Sequence, residues 1–86
     1  MNLYDFLSLT QERKEIVVWT QGNLLIVRQH REYSMYLYFI GNFFAEVLHR
    51  LADNQIVLIR GFKSKFGLDP YLEMVDLSDI LNALDE

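Results

Sequence analysis

The fold turns on the stretch Tyr33-Ser34-Met35-Tyr36-Leu37-Tyr38-Phe39-Ile40-Gly41-Asn42-Phe43-Phe44-Ala45-Glu46-Val47-Leu48-His49-Arg50. Two apolar, aromatic-rich runs flank Gly41-Asn42, a pair suited to tight hairpins because such turns need positive φ. The stretch therefore predicts two antiparallel strands, Tyr33 to Ile40 and Phe43 to Leu51. Outward from them, Leu24 to His30 joins through the weak turn Arg31-Glu32, and Gln55 to Phe62 joins through Asp53-Asn54. Links this short make a four-stranded antiparallel meander, since parallel neighbours need long crossovers.

The segments beyond the strands are helical in pattern. Leu3, Phe6 and Leu7 share one helical face within residues 3–9. Ser8 with Gln11 fits a capping box, and Thr10 is a rival N-cap. Residues 11–20 then read as a helix closed by Gly22 at a C′ position. Ile16-Val17-Val18 opposes that reading by strand propensity, but the capping residues and the glycine favour helix. After Phe62, Lys63 to Leu68 reads as a loop, and Asp69-Pro70 as a cap and first helical residue. Ser78 or Asp76 caps a short last helix through about Leu84. The fold class is α+β in a single domain, residues 1–86.

With two-residue turns at Gly41-Asn42 and Asp53-Asn54, the faces can be written down. Tyr36 pairs Val47, Tyr38 pairs Ala45 and Ile40 pairs Phe43; Ala45 pairs Phe62 and Val47 pairs Arg60. One face carries Tyr36, Tyr38, Ile40, Phe43, Ala45, Val47, Leu51, Ile56, Leu58 and Phe62, interrupted by Arg60. The other carries Met35, Leu37, Phe39, Phe44, Leu48 and Ile59, with Glu46, Arg50 and Gly61. A meander with one wet face alternates apolar and polar residues; here both faces are apolar and both need cover. The two terminal helical segments can cover one face and part of the second, and the remainder points to self-association or a protein partner. The tyrosine-rich strand suits a contact, so Tyr36, Tyr38, Phe43, Arg60 and Phe62 are the expected interface, although Tyr36 and Tyr38 read equally as core and Arg60 reads also as a residue snorkelling to the sheet edge.

Composition narrows the function. Of 86 residues, 51 % are apolar and 14 % aromatic, which excludes intrinsic disorder. The absence of cysteine excludes disulfides, thiolate metal sites and cysteine nucleophiles, and suits a cytoplasmic location. The longest apolar run, Met35 to Ile40, is far short of the roughly 20 residues of a membrane span, and no signal peptide is visible. The net charge of −4 is uneven: residues 23–67 hold six basic and three acidic groups, while residues 68–86 hold six acidic and none basic. That acidic segment reads either as an ordinary solvated surface or, more sharply, as docking on the basic middle or on a basic partner, and Leu77, Ile80, Leu81 and Leu84 give it one apolar helical face. Arginines among aromatics loosely suggest a single-strand nucleic-acid surface, but the acidic balance and lack of a recognition motif argue against one.

The candidate chemistry is sparse. His30 and His49 fall at one end of the sheet, two strands apart and on opposite faces, too far apart to share a metal. Glu46 lies on an apolar face beside Leu37 and Gly61, with Lys63 as its expected diagonal partner. Glu46 and Gly61 would line a pocket between helix and sheet if the chain binds a small ligand. There is no phosphate loop, nucleophile motif or pair of catalytic carboxylates. The expectation is a non-enzymatic interaction or accessory module without a cofactor, acting through a sheet face or edge; the alternative is a small-ligand binder.

Phe43-Phe44-Ala45-Glu46-Val47, then Ile56, Ile59 and Phe62, then Leu68-Asp69-Pro70-Tyr71-Leu72, together with Phe6-Leu7 and Trp19-Thr20-Gln21-Gly22, resemble a group of small uncharacterised bacterial single-domain proteins. The resemblance implies a stand-alone bacterial α+β protein and carries no activity or site residue with it.

Overall fold

The computed structural model describes residues 1–63. Two helices, α1 (Leu3–Leu7) and α2 (Gln11–Gln21), precede four strands: β1 (Asn23–His30), β2 (Tyr33–Ile40), β3 (Phe43–Arg50) and β4 (Gln55–Phe62). The strands form one antiparallel sheet in chain order. The α+β meander is as the sequence predicts. The elements expected beyond Lys63, including the Ser78 cap and the acidic helix, lie outside the described residues.

Local chemistry sets the helix ends. Asn2 caps α1 by accepting from the Asp5 backbone N–H at 2.8 Å, and Thr10 caps α2 by accepting from that of Arg13 at 3.3 Å. Ser8 is therefore not the α2 cap. It closes α1, its hydroxyl donating to the Asp5 carbonyl at 2.8 Å. Gly22 does end α2, but with extended backbone (φ −83°, ψ 145°) and not in the left-handed region. A Cβ there would run into the Val18 carbonyl oxygen, so close approach selects the glycine.

The β2–β3 register is the expected one, Ile40 opposite Phe43 and Tyr36 opposite Val47, and Gly41 takes φ +60° at the tip. The first hairpin also closes in two residues, with His30 opposite Tyr33 and Arg31 at φ 57°. The β3–β4 link differs. Residues 51–54 form a four-residue loop, fastened by Arg50 gripping the Asp53 carboxylate at 2.7 and 3.0 Å while Asp53 accepts from the Gln55 N–H at 3.2 Å.

Beyond that loop, His49 pairs Ile56 and Leu48 pairs Leu58, so Val57 is an extra residue and β4 bulges there. One extra residue exchanges the faces of everything after it. Ala45 therefore lies opposite Gly61 and Val47 opposite Ile59, not opposite Phe62 and Arg60. Leu58, Arg60 and Phe62 move to the face of Phe44, Glu46 and Leu48. In the regular register Arg60 would lie beneath the helices, where burying its charge is costly. With the bulge Gly61 lies there instead, and Leu3, Phe6 and Leu7 of α1 close over it.

Both helices cover this near face. Phe6, Val17 and Val18 pack with Ile40, Phe43, Ala45, Val47 and Ile59, and Leu3, Leu9, Tyr36, Tyr38 and Ile56 border the cluster. The Phe6 and Phe43 rings lie 5.3 Å apart. Each fully buried side chain of this size contributes roughly 1.5–3 kcal/mol.

Candidate functional site

The near face holds three of the residues expected at an interface. Phe43 is fully buried in the intramolecular core, and Tyr36 and Tyr38 are half-buried against it. Burial, and secondarily the neighbouring Tyr36, push the Tyr38 phenol above its ordinary pKa. Phe43 is therefore enclosed within the chain itself, against Phe6 of α1, while Tyr36 and Tyr38 keep part of their surface open.

Arg60 and Phe62 lie on the other, far face. Arg60 Nε donates to Glu46 Oε1 at 3.1 Å, and its guanidinium stacks 5.4 Å from the Phe62 ring. The Glu46 side chain is 11 % exposed and that of Arg60 is 50 % exposed. The expected Lys63 partnership of Glu46 is thus replaced by a directly cross-strand one. Glu46 and Gly61 do not line a common pocket: Glu46 is on the far face, and Gly61 is packed under α1. Both corrections follow from the bulge at Val57.

A groove of about 470 Å³ lies elsewhere, lined by Met1, Leu9, Arg13, Ile16 and Val17. Among the described residues its lining is largely apolar, Arg13 is the one charged side chain in it, and no strand residue contributes.

The histidines stand apart as expected. His30 pairs Tyr33 on the far face, whereas His49 stacks on Tyr36 of the near face with ring centroids 4.6 Å apart. Among the described residues no group of three or more His, Cys, Asp or Glu side chains is placed to hold a metal ion. No described helix is long and apolar enough to cross a membrane.

The edges of the sheet differ. Along β4, α1 packs over Gly61, and Gln11 Nε2 donates to the Ile56 carbonyl at 3.4 Å. Along β1 none of the eight residues is buried. Leu24 and Val27 point to the near face yet remain 53 % and 43 % exposed. No sequence signal separates β1 from the other strands, since Leu24-Leu25-Ile26-Val27 is as apolar as any of them. Its exposure arises because α2 packs on β2 and β4.

Comparison with known proteins finds no matching family model, curated protein or solved structure.

Proposed function

We propose that the chain is a small non-enzymatic interaction module that works by strand addition at the β1 edge, with a second copy of itself as partner. The observation that carries this is a full-length strand, Asn23–His30, without one buried residue and without a ladder partner on its outer side among the described residues. An open edge presents unpaired backbone donors and acceptors, and main-chain pairing to another strand satisfies them.

Self-pairing is chemically sound. A two-fold antiparallel pairing centred between Ile26 and Val27 sets Arg28 opposite Leu25 and His30 opposite Asn23, so no like charges meet. The Leu25 bulge, which shifts the β1–β2 register between Leu24 and Ile26, twists the edge, and another β1 carries the same twist. The groove beside Arg13 favours a ligand-binding reading, but its described residues bring no converging polar groups to orient a small molecule.

Light scattering at micromolar concentration tests the proposal. The expected mass is twice the 10.2 kDa of one chain. Leu24→Lys with Val27→Lys should return it to one chain without altering the circular dichroism, because both side chains are already exposed. A wild-type mass of one chain, or a double variant that stays dimeric, rejects the β1 edge.

A further inference from the structure

We propose that the far sheet face is the docking face for the chain's own acidic C-terminal stretch, residues 68–86, with Leu77, Ile80, Leu81 and Leu84 supplying the contact. This is independent of pairing at the β1 edge, which uses other residues.

The first support is burial. Both described helices lie on the near face, yet Leu37 and Phe44, central on the far face, have no solvent exposure, and Met35 keeps only 9 %. Neither described helix lies over this face, so its apolar centre has no second layer among the described residues. Around Phe44 the rings of Phe39 and Phe62 stand at 5.1 and 5.6 Å, an aromatic surface matched to a row of leucines.

The second is charge. Every Asp, Glu, Lys and Arg within the strands lies on the far face: Arg28, Arg50, Arg60 and one acid, Glu46. Residues 68–86 hold six carboxylates and no base. Arg50 and Arg60 already pair with Asp53 and Glu46, yet the face keeps more arginine than carboxylate, and an acidic segment with one apolar stripe complements it in charge and in apolar surface.

The third is reach. Only residues 63–67 separate the segment from β4, whose last residue, Phe62, is itself on the far face. Residues 64–76 extend to roughly 40 Å at about 3.3 Å per residue. Four strands at about 4.8 Å spacing are only roughly 14 Å across. The segment can therefore return over its own sheet, and tethering gives it a local concentration that no free partner matches.

The chain has no cysteine, so introduced pairs report contact cleanly. In the full-length protein, Leu58→Cys with Leu81→Cys joins the exposed rim of the far face to the segment, and Ile16→Cys with Leu81→Cys is the control on the outside of α2. A short bismaleimide should link the far-face pair within one chain at least an order of magnitude faster than the control, since both pairs share the same tether. Equal rates, or links between two chains only, overturn the proposal. As a second measurement, Leu77→Asp with Leu81→Asp should speed amide exchange at Leu37 and Phe44 while leaving Val18 protected. Unchanged exchange at Leu37 and Phe44 overturns it as well.

Discussion

Arg60 makes its ion pair from the rim of an apolar face, and the Glu46 carboxylate it holds is almost buried. Removing one partner of such a pair leaves a desolvated charge short of an interaction, whereas removing both leaves only an altered surface. Arg60→Met should therefore destabilise the protein at neutral pH by roughly 1–3 kcal/mol, at the lower end because the arginine is half in water. Glu46→Met with Arg60→Met should lie closer to wild type than Arg60→Met alone, as measured by urea unfolding. A double variant less stable than the single one would refute this account. The sequence marks both residues as out of place on apolar strands, but regular pairing sets Glu46 opposite Gly61. A cation with nowhere to go under a helix, one position from a glycine that fits there, is the feature of the sequence that implies a one-residue slip.

At the scale of elements, legibility follows how local the cause is. The Gly41-Asn42 turn is local, and its hairpin lies in the expected register. Helix α2 forms across Ile16-Val17-Val18 because the Thr10 cap and burial of Val17 and Val18 outweigh strand propensity, a balance the capping residues signal. The bulges at Leu25 and Val57 are not local in this sense: nothing in either residue requires an extra position, which arises from how the edge strands meet their neighbours. The Val57 bulge has a consequence for α1. A Cβ on Gly61 would lie 2.9 Å from Phe6 Cδ2 and 3.0 Å from Leu3 Cδ1, so α1 rests on bare backbone. Gly61→Ala should lift α1 from β4 and cost roughly 1–3 kcal/mol, as overpacking of a filled core does. The thermal midpoint measures the cost, and faster amide exchange in residues 3–7 than in β2 locates it. An alanine variant as stable as wild type would show that α1 does not need this close approach.

For the molecule as a whole, two described groups, Asp53 and Tyr38, tie stability to pH, and their causes differ. The Arg50 hydrogen bond holds the Asp53 carboxyl below its ordinary value. A lowered folded pKa gives stability that is present above the unfolded carboxyl's value of about 3.9 and is lost as pH falls through the folded one. This pair is in water, so its contribution is small and screened by salt. The Tyr38 phenol is shifted the other way, chiefly by burial beside the helices. A raised folded pKa gives stability that is complete below the unfolded phenol's value of about 10 and is lost as pH rises through the folded one, because the unfolded chain ionises first. Thermal midpoints across pH, at low and high salt, should therefore show two unlike limbs. Asp53→Asn should shrink the acid limb at low salt and change little at high salt. Tyr38→Phe keeps the ring packed near Gly22 and should soften the alkaline limb at either salt, since desolvation is not screened by ions. An alkaline limb that salt abolishes, or that Tyr38→Phe leaves untouched, would mean that the phenol is not held under α2 as the sheet's near face requires.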